Sequence, residues 1–510
     1  IDILISDDIV HILIKEWKLF TFFVCVIILY IYYTSTFDFF SKKGIKYMKP
    51  TIFVGNLGPR LKAAISIHEF QVQIYEYFKG DLCGGIFEGR KPVLYLFDPD
   101  IIKDVAIQHF DHFIDRNTIN RHEQYFSRSL LNLQGSEWKG VRSTLSPAFS
   151  SAKLKNMLPL IAHCSQQMIT FLKQYNGKDI EMKDALGHFT LEVIGACAFG
   201  IECEALTNEN SHFVKVAEKF TYMSKLKRVG IFIILMFMPK LFRVLNISFL
   251  HRETIEELVR MLKATKAERR ASGCKRNDFL QILVDAADKE MSNPDHTSKI
   301  YFDDETIDAQ SLLFLLGGYE TTSTLLSFAV HQMAINPDLQ IKLRSHIKEI
   351  GIESDVSYEQ LSELTYLEAF LYEILRMYPP LSRIDRICTK KYNLPKTSVQ
   401  VAVGETVIIP IYALHMDPNY YPQPSEFRPE RFLGDEKSNR PSHLFLGFGT
   451  GPRNCIGQRF AMISAKMAMV TLLKNFEFSI CDQTQDPIMF DKRSVLLKAE
   501  KGVWVHIEKL

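Results

Sequence analysis

The sequence predicts an α+β fold, mainly α with a small β region, preceded by one transmembrane helix. Three observations support this prediction: long segments with helical periodicity, only short strand-like runs, and one long uncharged stretch near the N-terminus. The 510 residues are 47% hydrophobic and 24% charged, as in a globular protein with a large core. We expect a membrane anchor with its flank over residues 1–41, a hinge over 42–60 and one large domain over 61–510.

The first element is an uncharged stretch from Leu19 to Phe37, LFTFFVCVIILYIYYTSTF. It has about the length that a helix needs to cross a bilayer. No small-residue cleavage site follows it, so we interpret it as a retained anchor rather than a signal peptide or a buried core helix. Lysines follow it at positions 42, 43, 46 and 49, whereas acidic residues offset the lysines before it. This asymmetry predicts that the large domain lies in the cytosol.

The hinge is predicted from the Pro/Gly segment KPTIFVGNLGPRL that begins at Lys49. Beyond it, helical periodicity dominates and no repeat or linker divides the chain. The predicted helices cover residues 153–174, 303–335, 338–351, 359–377 and 456–475, and the strand-like runs cover 92–97 and 405–414.

Charge and cysteine usage exclude some classes of protein. The formal net charge of +2 arises from 61 basic and 59 acidic residues, which gives no overall field for nucleic acid, so no nucleic-acid partner is expected. The nine cysteines contain no Cys-x-x-Cys pair. This pattern argues against a zinc finger or a disulfide framework and suits a reducing compartment.

The strongest chemical signal is the loop GFGTGPRNCIG at 447–457. Its glycines suggest a phosphate cradle, but neither the dinucleotide spacing nor the Gly-Lys-Ser/Thr of a P-loop is present. Cys455 stands at the start of a helix predicted to begin near Ile456, whose N–H groups and dipole favour a thiolate. Phe448 offers an aromatic face and Arg453 a fixed charge. Because only one cysteine converges here, haem fits better than zinc, and an ordinary buried thiol fits the other eight cysteines better than this one.

The helix predicted over 303–335 breaks the rules of a buried helix in its middle. Gly317 and Gly318 each cost about 1 kcal/mol relative to alanine in a helix interior. Glu320 and Thr321 place a charge and a hydroxyl in an otherwise apolar run. Such violations are typical of functional positions. The alternative is a glycine pair that only lets another helix pack closely.

Several segments together match the pattern of a known family. Phe448, Gly451, Arg453, Cys455 and Gly457 fill the haem-ligand signature Phe-x-x-Gly-x-Arg-x-Cys-x-Gly. The segments WKGVR, LYEILRMYPP and FRPERF follow the family's order. With these motifs the chain resembles the cytochrome P450 monooxygenases, and its details are most similar to the arthropod microsomal enzymes that handle plant toxins and insecticides. Position 447 is often proline in relatives and is glycine here.

The resemblance implies a cytochrome P450 fold over 61–510 and a site built around haem b. Cys455 would be the iron ligand. Gly317 and Gly318 would let their helix bulge so that oxygen fits, and Glu320 and Thr321 would relay protons. The residues implied to contact the haem or its propionates are Arg116, Trp138, Arg142, Arg386, Phe448, Arg453 and Gly457. Three further residues, Glu373, Arg376 and Arg431, are expected to form a buried charge network.

The resemblance also implies a monooxygenase that inserts one oxygen atom from O2 into a lipophilic small molecule. Because no flavin or nicotinamide site is visible, electrons would come from NADPH through the microsomal cytochrome P450 reductase, with cytochrome b5 as a further partner. Arg459, Lys153 and Lys155 are the candidate docking residues. The alternatives are a haem-thiolate isomerase or dehydratase and a haem protein that only binds ligands, neither of which needs the Glu320–Thr321 pair.

The remaining expectations concern the substrate and the membrane. The expected pocket segments, 113–134, 311–316, 380–384 and 488–496, are rich in Phe, Leu and Ile and predict a lipophilic substrate. Residues 229–239, VGIFIILMFMP, are too short to span a bilayer and are predicted to lie in its interface. We expect the protein in the endoplasmic reticulum membrane with its catalytic domain in the cytosol.

Overall fold

Helices make up most of the structure, a computed structural model that describes residues 7–510 apart from short segments. The segments outside the described part are 118–124, 209, 222–223, 225–226, 228–229, 232–233, 235–246, 248–249, 274, 293–301 and 353–355. The predicted interfacial segment 229–239 lies largely outside the described residues. Within the described part the prediction of a mainly α fold with a small β region is confirmed.

The helices are described in chain order. The α-helices are α1 Asp7–Thr34, α2 Phe39–Lys42, α3 Gly58–Leu61, α4 Ile67–Tyr77, α5 Pro99–Lys103, α6 Gly135–Leu145, α7 Ser151–Leu172, α8 Met182–Ile194, α9 His212–Thr221, α10 Arg252–Ser272, α11 Phe279–Met291, α12 Asp304–Ile335, α13 Pro337–Glu349, α14 Tyr358–Glu363, α15 Thr365–Met377, α16 Ile411–His415, α17 Gly434–Asn439 and α18 Gln458–Asn475. Two π-helical turns cover Asp104–Gln108 and Gly195–Phe199.

Three small sheets accompany the helices. The strands are β1 Cys83–Glu88, β2 Lys91–Leu96, β3 Lys178–Glu181, β4 Ile384–Ile387, β5 Tyr392–Asn393, β6 Gln400–Val401, β7 Thr406–Ile409, β8 Phe476–Ser479 and β9 Trp504–Lys509. The largest sheet has the order β1-β2-β7-β4, and the others are β3-β9-β8 and β5-β6. In the largest sheet β2 and β7 are parallel and the other neighbours antiparallel, and Arg386 of β4 stands opposite Val407 of β7.

Four of the five predicted helices agree with the structure to within a few residues. The fifth, 359–377, is wrong as a single helix, because Leu364 leaves helical geometry with ψ 64° and separates α14 from α15. Leu361, Leu364 and Leu367 are all buried in one core, so the apolar spacing continues across the break. Spacing alone therefore does not reveal it.

The predicted strand at 405–414 is wrong in its second half. The strand β7 ends at Ile409, and helix α16 begins at Ile411. Pro410 separates them, and it has no N–H with which to continue a strand ladder. A continuous apolar run does not distinguish a buried strand from a buried helix.

Helix α1, predicted as a membrane anchor, is docked on the large domain rather than attached by a free linker. The stretch from Lys15 to Thr34 is the one helix in the described residues that is long and apolar enough to cross a membrane. The Tyr33 ring packs against Phe53 with centroids 4.8 Å apart, and the Arg90 guanidinium lies 3.5 Å from the centre of the Tyr32 ring.

The segment 42–60, predicted as a hinge, pairs with the edge of the largest sheet. The Met48 N–H donates to the Gly85 carbonyl oxygen at 2.9 Å, and the Asn56 N–H donates to the Phe87 carbonyl oxygen at 2.7 Å. The segment is thus part of the fold of the large domain. The boundaries at residues 41 and 60 stay predictions.

The long helix α12 runs through the main hydrophobic core. Its second half is buried on every side, as the fully covered Leu326, Phe328 and Val330 show. It packs against α8, α11, α15 and α18. A helix without a charged, solvent-facing side suits this central position.

The expected charge network around Glu373 is present and buried. Both Glu373 and Arg376 have no exposed surface, and two N–H groups of Arg376 donate to the Glu373 carboxylate at 2.7 Å. The Arg431 Nε lies 3.3 Å from the same carboxylate, and the Arg428 N–H donates to it at 3.0 Å. The network fixes α15 to the segment that leads to the cysteine loop.

His415 connects this network to the cysteine loop. Its Nδ1 donates to the Arg376 carbonyl oxygen at 3.1 Å, and its Nε2 accepts from the Leu446 N–H at 2.9 Å. These two bonds require a neutral ring with the proton on Nδ1. Burial, and then the charge of Arg376, lowers the pKa of His415 to about 3.

We expect His415 to reduce the stability of the protein as the pH falls. An unfolded histidine has a pKa of about 6.5, whereas the pKa of folded His415 is about 3. The contribution of His415 to the free energy of unfolding is therefore complete above pH 6.5. Between pH 6.5 and pH 3 only the unfolded chain takes up the proton, so this contribution falls by about 1.4 kcal/mol for each pH unit. In His415→Gln, which keeps a donor and an acceptor, this contribution is absent.

The measurement is the free energy of unfolding by denaturant at pH 7 and pH 5 for both proteins. The variant should be less stable than wild type at pH 7, and the gap should narrow at pH 5. A gap that stays constant would contradict the neutral buried ring.

Candidate active site

The loop at 447–457 folds back so that Cys455 lies beside Phe448. The Cys455 N–H donates to the Phe448 carbonyl oxygen at 2.8 Å. Helix α18 begins at Gln458, slightly later than the predicted start near residue 456. Cys455 therefore stands in the loop just before the first turn, whose free N–H groups favour a negative charge.

The Cys455 sulfur lies in a recess. The side chain is solvent-accessible, yet the surrounding protein desolvates the sulfur enough to raise the pKa of the thiol. The Gly457 N–H and the guanidinium groups of Arg142 and Arg116 act in the opposite direction, because they favour the thiolate. Such a cysteine is a thiol by itself and becomes a thiolate when a metal replaces its proton.

At two positions of the loop, close packing leaves no room for a side chain. Gly451 has φ 71°, and a Cβ added there would overlap the Ala106 carbonyl oxygen. At Gly447 an added Cβ would lie 2.8 Å from the Phe445 ring and 3.1 Å from the Leu375 Cβ. Close packing therefore explains why glycine stands at 447.

Arg386 is a buried cation with unused donors. It is 1% exposed, and its Nη1 donates to the Asp385 carbonyl oxygen at 2.8 Å. Its Nε and Nη2 have no hydrogen-bond partner in the part of the chain that the structure describes. Burial, and then the charge of Arg116, lowers the pKa of Arg386 to about 9. Buried donors of this kind require an acceptor, and the positive charge favours an anion.

Arg116 interacts electrostatically with both Arg386 and Cys455, and Arg142 interacts with Cys455. The Arg116 Nη2 donates to the Arg453 carbonyl oxygen at 2.7 Å. Arg142 donates to the backbone and side-chain oxygens of Asn454, at 3.2 and 3.0 Å. Burial lowers the pKa of both arginines, and the charge of Cys455 opposes this effect. The predicted residues thus come together on one side of the loop.

Arg453 binds backbone carbonyls. Its Nε, Nη1 and Nη2 donate to the carbonyl oxygens of Ile114, Leu130 and Leu133 at 2.9, 3.1 and 2.8 Å. Its guanidinium carbon lies 4.2 Å from the centre of the Trp138 ring. Each guanidinium nitrogen therefore has a protein partner, which indicates that Arg453 mainly holds the loop.

Helix α12 has one open position in its middle. Gly317 is exposed, and a Cβ added there would meet nothing within 4 Å. A Cβ added at Gly318 would overlap the Ile194 side chain of α8. Close packing with another helix therefore explains Gly318, whereas Gly317 leaves free space. α12 continues as one α-helix through both glycines, so the bulge implied by the resemblance does not interrupt it.

Thr321 and Glu320 have different partners. The Thr321 Oγ1 donates to the Gly317 carbonyl oxygen, so the hydroxyl lies beside the open position. The Glu320 carboxylate accepts from the Lys183 Nζ of α8 at 2.9 Å. Lys183 also donates to the Glu320 carbonyl oxygen at 3.1 Å and to the Ser323 hydroxyl.

Lys183 is a candidate functional residue that the sequence analysis missed. All three of its N–H donors bind α12, so α8 fixes the orientation of Glu320. Burial lowers the pKa of the Lys183 amine, and Glu320 opposes this effect. The two residues are 137 positions apart, and no local spacing signals the pair.

The predicted pocket segments carry apolar side chains that the protein covers only in part. Leu381 and Met489 are 46% and 43% exposed, and Leu313 and Leu316 of α12 are half-buried. Residues 118–124 of the first segment lie outside the described part. Apolar surface of this kind suits a lipophilic ligand.

Together these residues fit a haem group. Cys455 provides an accessible sulfur for iron, and Arg386 provides unused donors for a carboxylate. Arg116 interacts electrostatically with both of them, so the two features belong to one site.

Comparison with known proteins agrees with this site. The family model for cytochrome P450 matches residues 46–506. The chain is 37% identical to cytochrome P450 9e2 of Blattella germanica, with 96% of this chain and 98% of that protein covered. It is 34% identical to cytochrome P450 3A5 of Homo sapiens, with 98% of each covered, and 33% identical to cytochrome P450 6a8 of Drosophila melanogaster, with 94% and 96% covered. The chain therefore belongs to the cytochrome P450 family of monooxygenases.

Proposed function

We propose that this monooxygenase inserts one oxygen atom from O2 into lipophilic small molecules by hydroxylation, epoxidation or dealkylation, with electrons from NADPH. Family membership supports oxygen insertion. The single observation that carries the site is the buried Arg386, whose Nε and Nη2 have no partner among the described residues and which Arg116 links electrostatically to the desolvated Cys455. An iron porphyrin satisfies both residues, since it brings a metal for the sulfur and propionates for the guanidinium.

In this proposal Cys455 is the iron ligand. Haem b supplies the oxygen chemistry when it is bound. The propionates would be held mainly by Arg386, with Arg116 and Arg142 nearby. Trp138 would lie beside them under the Arg453 guanidinium. Phe448 and Gly457 would flank the sulfur, where the Gly457 N–H stabilises its charge.

Protons would reach the oxygen site along α12. The open position at Gly317 provides room next to the Thr321 hydroxyl. Thr321 would hold a water through its lone pairs, and Glu320 would pass protons to that water by general acid chemistry. Lys183 keeps the Glu320 carboxylate on the α8 side, so transfer requires Glu320 to rotate away from it.

A competing function would not need this arrangement. A haem-thiolate isomerase or dehydratase, or a haem protein that only binds ligands, needs no proton path to bound oxygen. The Glu320 carboxyl group and the Thr321 hydroxyl, on adjacent residues of α12 beside the open position at Gly317, are the parts that favour oxygen activation.

Electrons would enter from NADPH-cytochrome P450 reductase, with cytochrome b5 as a second donor. Arg459 is exposed at the start of α18, four residues after Cys455, and Lys153 is exposed at the start of α7. Neither has an ion pair among the described residues, so both charges are available to an acidic partner. Lys155 is different, because it pairs with Glu359 at 2.6 Å.

Exposed apolar side chains are the basis of the proposed substrate class and of the proposed membrane location. The partly covered Leu381 and Met489 support a lipophilic substrate. The resemblance of the motifs to those of arthropod microsomal enzymes suggests plant toxins, insecticides or endogenous lipids as its class. Helix α1 supports anchoring in the endoplasmic reticulum membrane with the catalytic domain in the cytosol.

The proposal predicts that the protein, supplied with reductase, consumes NADPH and forms oxidised product from the substrate. Thr321→Ala should keep haem and substrate binding but divert reducing equivalents to peroxide, because the hydroxyl orders the proton donor rather than binding the iron. The measurement is product and peroxide formed per NADPH, with Thr322→Ala, a change at the adjacent buried threonine, as the control. Unchanged coupling in Thr321→Ala would remove Thr321 from the mechanism.

Charge reversal should have unequal effects at two of the candidate docking residues, Arg459 and Lys155. Arg459→Glu should raise the reductase concentration that gives half-maximal turnover by roughly tenfold at low salt, because an unpaired charge steers the partner. Lys155→Glu should have a much smaller effect, since Glu359 already neutralises that lysine. Turnover measured against reductase concentration at two ionic strengths tests this. No effect of Arg459→Glu would place the docking surface elsewhere, and an equally large effect of Lys155→Glu would contradict the neutralising role of Glu359.

A further inference from the structure

Gln310 of α12 is fully buried and binds one loop with both ends of its amide. Its Oε1 accepts from the Leu130 N–H at 2.9 Å, and its Nε2 donates to the Arg128 carbonyl oxygen at 2.8 Å. Because these residues are two apart, the side-chain amide pairs with the loop as a neighbouring strand would. The glutamine thus fixes the loop at 128–130 onto α12.

Other contacts make this loop an extension of α12. The Arg128 side chain pairs with Asp303, which caps α12, and lies 3.4 Å from Glu305. Within the loop, the buried Asn132 donates to the Phe126 carbonyl oxygen at 2.9 Å. The loop is therefore attached to α12 both near its N-terminus and at Gln310.

The opposite side of the same loop holds Arg453. The carbonyl oxygens of Leu130 and Leu133 accept from its Nη1 and Nη2 at 3.1 and 2.8 Å. Leu130 therefore uses its N–H for Gln310 and its carbonyl for Arg453. Arg453 stands two residues before Cys455, so a continuous series of hydrogen bonds joins α12 to the cysteine loop.

We propose that Gln310 is a positioning residue for the haem, acting through the loop at 128–133 and Arg453. It sets the separation between α12, which carries Gly317 and Thr321, and the loop that carries Cys455. Gln310 need not touch the haem for this role. The inference rests on the proposed haem site. It adds the residue that fixes the distance between α12 and the cysteine loop, on the two sides of that site.

The matched control for Gln310 is Gln340 of α13. Gln340 is 1% exposed, and its amide also binds one backbone N–H and one carbonyl, both of Phe478, at 3.0 and 3.1 Å. Phe478 belongs to β8 in the sheet β3-β9-β8, away from the cysteine loop. Gln310→Leu and Gln340→Leu therefore remove the same two kinds of backbone hydrogen bond at different places. Gln340→Leu also removes an acceptor of Arg344 Nη2, which keeps the Phe476 carbonyl oxygen as a partner.

The test compares haem release from the two variants and wild type, measured by transfer to excess apomyoglobin. Both variants should unfold at a lower temperature. Gln310→Leu should release haem roughly tenfold faster, the order expected when two lost hydrogen bonds act on the haem site. Gln340→Leu should stay within about twofold of wild type, because distant sites act independently.

The haem reduction potential gives a second measurement. It should become more negative in Gln310→Leu, because a displaced Arg453 stabilises the reduced haem less, and it should not change in Gln340→Leu. Equal release rates and potentials in the two variants would overturn the inference and leave Gln310 a structural residue. A wild-type protein that binds no haem would instead overturn the proposed function.

A milder variant keeps the test decisive if Gln310→Leu does not fold. Gln310→Asn retains the amide donor and acceptor but is one methylene shorter, so both hydrogen bonds to the loop are lengthened rather than removed. Its haem release should be faster than that of wild type and slower than that of the leucine variant where both are available. A wild-type rate would overturn the inference.

Discussion

The buried carboxylate of Glu373 fixes the side of the structure that presents the cysteine. It is shared between Arg376, at 2.7 Å, and Arg431, at 3.3 Å, with no exposed surface. Removal of either arginine would leave part of a buried charge uncompensated, which typically costs about 3–5 kcal/mol. The Arg376 carbonyl oxygen accepts a hydrogen bond from His415, which in turn accepts one from the Leu446 N–H. Bonds formed deep in the core therefore set where the cysteine loop begins.

Arg453 holds the same loop from its other side. Its three bonds to backbone carbonyls attach the loop to the segment 114–133, and Gly451 lets the loop approach Ala106 closely. With both sides fixed, the sulfur of Cys455 remains accessible without making the loop mobile. An accessible, desolvated thiol on a firmly held loop is suited to bind a metal rather than to pack in a core.

Local patterns predicted much of the fold and of the site. Helical periodicity located α7, α12, α13 and α18, and the spacing of Phe448, Gly451, Arg453, Cys455 and Gly457 located the loop. The break at Leu364 escaped prediction because burial continues across it. The hydrogen bonds of Lys183 to Glu320 and of Gln310 to Leu130 escaped because they join residues 137 and 180 positions apart. Pairs of this kind leave no periodic trace in a sequence.

The central claim is that Cys455 carries the haem iron as a thiolate, and the absorption spectrum of the reduced protein with carbon monoxide tests it most directly. We predict the red-shifted band of a thiolate-ligated haem in wild type, its loss in Cys455→His, and its retention in Cys388→Ser, which alters a buried cysteine outside the loop. A band that persists in Cys455→His, or that is missing from haem-loaded wild type, would contradict the account.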